Sequence, residues 1–545
     1  MNQYRFYLVA SIVTAILFSL SGFGLSLQDY TIQDDARQHV FWLQRLGDRE
    51  LFPDDLIADY FSSVAPVGYK FVYWFGNLLG LEPLVFNKIL PLLLGVGTTI
   101  YLFLVTLEIF PVPLAGFFAS LLLNQNLWLL DDLVSGTPRS FLYSLFLGFI
   151  YYLLRQQLFP CLLFIVLQGL FYPQVVLISA GILSLNLITQ KQGRYIYLAG
   201  LLVAVMTVGL YKLQTAGFSQ VITLAQARQL PEFSPVGRSA FFSDRPWHFW
   251  LVGKQSGFFP FEWQYFLMCS FGLLLPLVCQ FPEIFALTKK ITAKSQIIWQ
   301  IILISLVWYG LAHLMLFRLH LPSRYSQHTA RLAIALLSGI TLAILLHKLS
   351  QQVAAHSPTR QAIIIAIAIG ALLYPTYAVQ AYPQRLGYMT AKNPELYQFL
   401  RQQPKDTVIA TLSELGDFIP SFAQRSVLTA REYSIPYHWD YYKQIRQRTQ
   451  DLIKAQYSSS PADLKQFIQQ YQIDLWLVDR NAFAPEYLQQ NDWLNQFQPD
   501  AQQAIANLKD HQPLAIANKI DQCSIFQTPE INLLASKCLL RNSSK

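Results

Sequence analysis

The stretch "PVGYKFVYWFGNLLG", Pro66–Gly80, decides how the rest of this chain is threaded. It is apolar and aromatic, yet short, and it carries Lys70 and Asn77. Crossing a bilayer takes about 20 apolar residues. If this stretch crosses, every later loop changes side. Lys and Arg are enriched in the short loops on the inner side of a membrane, so those loops discriminate. With Pro66–Gly80 re-entrant or flat, the short loops on the N-terminal side hold Arg5, Arg155, Lys191, Arg194, Lys289, Lys290, Lys294, Lys348 and Arg360. The opposite short loops hold chiefly Arg139, Arg318 and Arg324. A crossing would move Lys191, Arg194 and the lysines at 289–294 outside. We therefore read Pro66–Gly80 as an interfacial helix.

The surrounding chain fits a membrane protein. It has 545 residues, 53% hydrophobic and 13% charged, against about 25% charged in soluble domains. The net charge of +8 is spread singly between apolar runs. It suits an inner membrane surface and gives no basic patch for nucleic acid. Tyr7–Leu27 is too long for the apolar core of a signal peptide, about 7–15 residues, and is read as an uncleaved span. Further spans are expected at 84–109, 112–130, 140–155, 158–171, 173–189, 195–213, 264–287, 296–317, 328–347 and 361–381. The expected fold is thus a polytopic α-helical membrane domain, 1–383, of about eleven spans. Residues 28–83, 131–138, 214–262 and 318–327 and the tail then share one extracytoplasmic face.

The tail, 384–545, is rich in Gln, Asp, Lys and Tyr. "DTVIATL" (406–412) and "IDLWLV" (473–478) read as buried strands. "NPELYQFLRQQ" (393–403) and "SPADLKQFIQQY" (460–471) read as helices. Helix followed by strand, twice, predicts a small extracytoplasmic α/β domain. It has no G-x-G-x-x-G or Walker sequence to support nucleotide binding. Cys161, Cys269 and Cys279 lie in apolar segments and read as packing residues. Cys523 and Cys538 can pair only if the tail is extracytoplasmic.

Polar groups gather on that face. "QDDARQH" (33–39) puts Asp34, Asp35, Arg37 and His39 just past the first span. If the stretch is helical, Asp35 and His39 share a face at i, i+4. Each acid alone could be a helix cap, but a carboxylate here can also deprotonate a hydroxyl or ligate a divalent cation. "DDLVSGTPRS" (131–140) adds Asp131 and Asp132 where a span ends and Arg139 where the next begins. Arg139 follows a Gly–Thr–Pro turn and reads as an anion ligand. "RLHLPSRYSQHTARL" (318–332) starts a helix after Pro322. On it Arg324, His328 and Arg331 fall at i, i+4, i+7, with Tyr325 beside them. That stripe suits a phosphate. His313, inside an apolar span, reads as a packed core residue.

This pattern resembles the membrane glycosyltransferases of the C-type fold (GT-C), which include protein mannosyltransferases, aminoarabinose transferases and oligosaccharyltransferase catalytic subunits. The resemblance rests on "QDDARQH", "DDLVSGTPRS" and "LPSRY" (321–325) and on the order of the parts. It implies that a first-loop acid, Asp34 or Asp35, is the catalytic base or a metal ligand. The family often carries Asp-x-Asp or a single acid, whereas here the pair is adjacent. Asp131 and Asp132 match the second acidic turn, and Arg324 is similar to the basic group that holds a lipid phosphate. A divalent cation (Mg or Mn) would take Asp34 and Asp132. The implied activity is inverting transfer of a sugar from a polyprenyl-phosphate donor to a glycan, lipid or protein acceptor, at a bacterial plasma membrane. Arg37, His39, Asp131, Asp132, Arg139, Arg324, Tyr325, His328 and Arg331 are the expected substrate-binding residues. Two other readings compete: a multi-span transporter or lipid flippase, and a non-catalytic envelope-assembly protein. Transporters keep charges near the midplane and often show inverted repeats. This chain shows neither.

Overall fold

The computed structural model describes residues 3–129, 131–214, 216–218, 220–260, 263–353, 358–374, 376–377, 382–383 and 386–541. Among them, five helices are long and apolar enough to cross a membrane: Gln3–Ser26, Pro83–Ile109, Arg194–Leu213, Ala293–Leu314 and Pro322–Gln352. The chain is a mostly helical integral membrane protein with a small sheet near its C-terminus. Its helices are α1 (Gln3–Ser26), α2 (Val67–Leu78), α3 (Pro83–Ile109), α4 (Pro113–Leu127), α5 (Leu142–Leu154), α6 (Leu158–Phe171), α7 (Pro173–Thr189), α8 (Arg194–Gln214), α9 (Trp263–Leu273), α10 (Gln296–Leu314), α11 (Gln327–Val353) and α12 (Pro358–Tyr374). The run expected at 264–287 is broken. After α9 comes a short helix, Leu275–Cys279, with Pro276 in its first turn.

α1 shows the inverted logic of a lipid-facing helix. Val9, Val13, Leu17 and Leu20 form an exposed stripe, while Ser11, Ala15, Ser19, Gly22 and Ser26 face inward. Small residues let neighbouring backbones approach, and large apolar ones meet lipid. α2 has 12 residues, about 18 Å at 1.5 Å per residue, too short to span. It exposes Phe71, Trp74, Phe75 and Leu78 along one stripe and buries Tyr69, Tyr73 and Gly76.

The tail folds as an α/β unit. A five-stranded sheet has the order β4-β3-β5-β7-β6, built from β3 (Val408–Thr411), β4 (Ser426–Val427), β5 (Leu475–Asp479), β6 (Ser524–Gln527) and β7 (Ile531–Ala535). β4, β3 and β5 are parallel, and β7 runs antiparallel to β5 and β6. Helices α13 (Pro394–Arg401), α14 (Trp439–Gln456) and α15 (Pro461–Tyr471) pack around it. A disulfide joins Cys523 and Cys538. A two-stranded ribbon ties this unit to the first loop: β1 (Thr31–Gln33) pairs antiparallel with β2 (Tyr388–Thr390). Of the three cysteines in apolar segments, Cys161 is buried and Cys279 exposed.

Candidate active site

The first loop leaves α1 through β1, whose pairing with β2 sets where the acids emerge. The Asp34 N–H donates to Gly387 O at 2.9 Å, and the Asp35 N–H donates to Gln33 Oε1 at 2.9 Å. Held this way, the adjacent carboxylates diverge. Asp34 pairs with Arg37. Asp35 turns the other way and meets Arg139 Nη2 at 2.6 Å. His39 lies beside Asp35. Burial, reinforced by Arg139 and opposed by Asp35, pushes its imidazole down to about 4, so it is neutral at pH 7.

The second turn is braced from below by α2. Gly136 adopts φ +59, and a Cβ there would stand 2.6 Å from Asn87 Nδ2, so glycine answers both the backbone angle and the close approach. Asn87 Nδ2 donates to Ser135 O at 2.8 Å and to the Tyr73 hydroxyl at 2.9 Å. The Tyr73 hydroxyl in turn donates to Gly136 O at 3.2 Å. Tyr69, one turn earlier on α2, reaches His39 O at 3.4 Å. α2 thus supports both acid-bearing segments.

Asp132 is the centre of the site and is 3% exposed. Its Oδ1 lies 3.0 Å from Arg139 Nε. Its Oδ2 pairs with Arg331, lies 2.9 Å from the Tyr143 hydroxyl and 3.5 Å from His328 Nδ1. Burial opposes ionisation of this carboxyl, but Arg331 and Arg139 outweigh it and hold the group well below the usual carboxylate range. The Asp131 side chain lies outside the described residues.

The cationic stripe differs from expectation. Pro322–Tyr325 is one 3-10 turn, Ser326 breaks the helical path at φ −122, and α11 begins at Gln327. His328 and Arg331 therefore share a helix that Arg324 does not. Arg324 has no hydrogen bond or ion pair from its guanidinium among the described residues. Tyr325 is buried and donates to Leu319 O at 2.9 Å. His328 Nε2 is buried without a hydrogen-bond partner among the described residues. His313 is half-buried and packs its ring against Trp250, centroids 4.5 Å apart.

No protein-family model matches the sequence, and no curated protein does. Solved structures do match. Oligosaccharyltransferase AglB of Archaeoglobus fulgidus, in complex with an inhibitory peptide and a dolichol-phosphate, aligns over 92% of this chain and 72% of its own, with TM-score 0.54 and 12% identity. The same organism's oligosaccharyltransferase, tethered to an acceptor peptide, aligns over 91% of this chain and 72% of its own, with TM-score 0.52 and 14% identity. The chain has the GT-C fold. ArnT from Cupriavidus metallidurans in the apo state aligns over 98% of this chain and 99% of its own, with TM-score 0.46 and 13% identity.

Within this GT-C chain the candidate residues divide into two groups. Asp35, Arg139, Asp132, His328 and Arg331 form one connected set. Arg37 belongs to another. It is 4% exposed, lies over the Phe418 ring at 4.7 Å and meets Glu432 Oε2 at 2.8 Å. Tyr143, Asp417 and Glu432 take part in these contacts and were missed in the sequence. Tyr143 had a faint signal, a hydroxyl inside an apolar run. The others had none.

The two acids expected to hold a divalent cation, Asp34 and Asp132, are each engaged by arginine. Among the described residues no three His, Cys, Asp or Glu side chains gather as a metal site. The Asp132 carboxylate is already enclosed by Arg331, Arg139 and Tyr143, and two guanidiniums repel a third cation. Asp34 is taken by Arg37.

Proposed function

We propose that this GT-C chain moves a sugar from a polyprenyl-phosphate donor to an acceptor hydroxyl, with inversion at the anomeric carbon. The reaction takes place on the extracytoplasmic face of a bacterial plasma membrane. One observation carries this reading: Arg139 joins Asp35, at 2.6 Å, to Asp132, at 3.0 Å. A first-loop carboxylate and the cationic end of α11 thereby border one site. The AglB neighbour that holds a dolichol-phosphate supports a lipid-linked donor. The Cys523–Cys538 disulfide supports an oxidising compartment for the tail.

The roles follow from charge and reach. Asp35 is the base and takes the acceptor proton. The acceptor oxygen forms its bond to the anomeric carbon as the bond to phosphate oxygen breaks, and polyprenyl phosphate leaves with that electron pair. The leaving group is already an anion, so it needs cations rather than a proton. Arg324, whose guanidinium has no hydrogen bond or ion pair among the described residues, receives it, His328 Nε2 adds a hydrogen bond, and Arg139 faces it from the second turn. Asp132 aligns Arg139 and Arg331 and does not touch substrate.

Mass spectrometry of envelope glycans and lipids, with and without the protein, tests the reading. A mass shift of one sugar is expected. The double variant Asp34→Asn/Asp35→Asn should abolish it while keeping expression and heat stability. Retained transfer in that variant removes the acids from the reaction, and solute flux in vesicles without a covalent product replaces the reading with transport. Single cysteines at Asp34→Cys and Arg324→Cys should both label from the outer side.

A further inference from the structure

In open α/β sheets, ligands and partners are met beyond the carboxyl ends of the parallel strands. In this chain β3 ends at Thr411 and β4 at Val427, and the loops that follow meet the first loop of the membrane domain. Asp417 comes from the first of them and Glu432 from the second. Both are buried, at 4% and 3% exposure. Arg37 enters between them, with Nη2 at 2.8 Å from Glu432 Oε2 and Nη1 at 3.7 Å from Asp417 Oδ2. Gln38 donates to the other Glu432 oxygen, Oε1. Arg238, from the 214–262 loop, reaches that same oxygen at 3.2 Å. Asp417 Oδ1 accepts the Glu432 N–H at 2.8 Å, which locks the two loops to each other.

Arg37 Nη2 also holds Asp34. The Arg37 guanidinium therefore ties the Asp34 side chain to the sheet, beside the Gln38–Glu432 bond and the Asp34 N–H bond to Gly387 O. Two buried carboxylates are a poor source of stability compared with apolar packing of the same volume, so their presence calls for another explanation.

We propose that the α/β domain positions the acid pair: Glu432 and Asp417 hold Arg37, and through it they set the Asp34–Asp35 turn at its distance from Arg139. The catalytic consequence rests on the sugar-transfer reading above; the mechanical link does not. Asp417 and Glu432 are positioning residues, since they reach the reacting groups through Arg37 and Gln38.

The test uses the full chain in nanodiscs and the variant Glu432→Gln, which keeps the side-chain volume and removes the charge. Amide exchange at residues 34–39 should accelerate about tenfold or more, with exchange in the spans unchanged. Sugar transfer should fall about tenfold or more, because a small misplacement of a reacting group is costly. Binding of a polyprenyl phosphate, measured separately, should stay within about twofold. A merely structural loss would speed exchange in the spans as well and lower transfer and binding together, and would overturn the proposal. Unchanged exchange at 34–39 would also overturn it. If the wild type transfers no sugar, the sugar-transfer reading fails, and the exchange measurement alone still decides the link. Should Glu432→Gln not fold, Asp417→Asn keeps an acceptor for the Glu432 N–H and should show a smaller acceleration at the same residues; no acceleration overturns the link.

Discussion

Two buried carboxylate centres sit in this protein, and their carboxyls are shifted in opposite directions. Asp132 is one carboxylate facing two guanidiniums, Arg139 and Arg331. Asp417 and Glu432 are two carboxylates, joined by Asp34, facing Arg37 and Arg238. All three central acids are deeply buried, so desolvation is similar and the cation count decides. At Asp132 the cations win, and the carboxyl stays well below the usual range. At Asp417, burial and the neighbouring Glu432 outweigh Arg37 and push the carboxyl up to about 7. With Asp35 on Arg139 the first centre is balanced, and the Arg324 guanidinium near His328 is the positive charge that an incoming anion would meet. The second neutralises itself and can only hold parts together.

The most damaging way to probe this contrast is Asp132→Asn. It removes the carboxylate that Arg331 and Arg139 share, leaving Asp35 on Arg139 and the Tyr143 hydroxyl on Arg331, and breaking such a buried pair costs about 3–5 kcal/mol. Thermal unfolding in detergent should show that loss, and sugar transfer should disappear. The double variant Asp132→Asn/Arg331→Met should recover part of the stability and none of the transfer. If the single variant is as stable as wild type, the Asp132 centre is not the electrostatic keystone described here.

Second in size is a pH effect at the other centre. The Asp417 carboxyl titrates near 7 when folded and near about 3.9 when unfolded. Between those values the native state holds a proton that the unfolded chain has lost, so stability falls as pH rises from about 4 to 7 and levels off above. The groups facing it are Glu432, Arg37, Arg238 and Tyr433. Asp417→Asn cannot ionise. Its stability relative to wild type should be level below about pH 4 and rise to at most about 4 kcal/mol above pH 7. Chemical denaturation at pH 5 and pH 8 measures this. A gain that shrinks with pH would reverse the assignment.

Much of the membrane domain was legible because its signals are local. The 12-residue α2 carries its own evidence in its length, Lys70 and Asn77. The acids and Arg139 stand out because polar residues beside apolar runs are conspicuous. The phase of the Arg324–His328–Arg331 stripe was misread because Ser326 leaves the helical path, and nothing in "LPSRYSQ" marks that residue as a break. In the tail, the strands read at 406–412 and 473–478 correspond to β3 and β5. β4 is only two residues long, too short to leave a period. The Arg37–Glu432 pair joins residues 395 apart. Neither partner has a local pattern that points to the other, so only the folded chain brings them together.

Third is Arg324→Gln, the counterpart of the Asp132 change. This side chain has no internal hydrogen bond or ion pair among the described residues, so folding stability should move by less than about 0.5 kcal/mol. The loss should fall on the ligand instead. A charge-assisted hydrogen bond to phosphate is worth about 1.5–3 kcal/mol, about 10- to 150-fold in affinity. Binding of a polyprenyl phosphate in nanodiscs checks this. Unchanged affinity would place the phosphate elsewhere.

The smallest change expected is Arg238→Gln, and it sharpens the comparison from the other side. Arg238 is 21% exposed at its side chain and meets Glu432 Oε1 at 3.2 Å. Its Nε also donates to Arg431 O at 3.3 Å. A partly exposed partner contributes less than about 1 kcal/mol. Glu432 keeps Arg37 and Gln38 in this variant, so exchange at 34–39 should barely change. If Arg238→Gln instead loosens the acid turn as much as Glu432→Gln does, the 214–262 loop and not the sheet is what holds Arg37 in place. The self-neutralised centre would then be a three-way junction in which the loop, bridged to the tail at Val221 and His438, sets whether the acids are aligned.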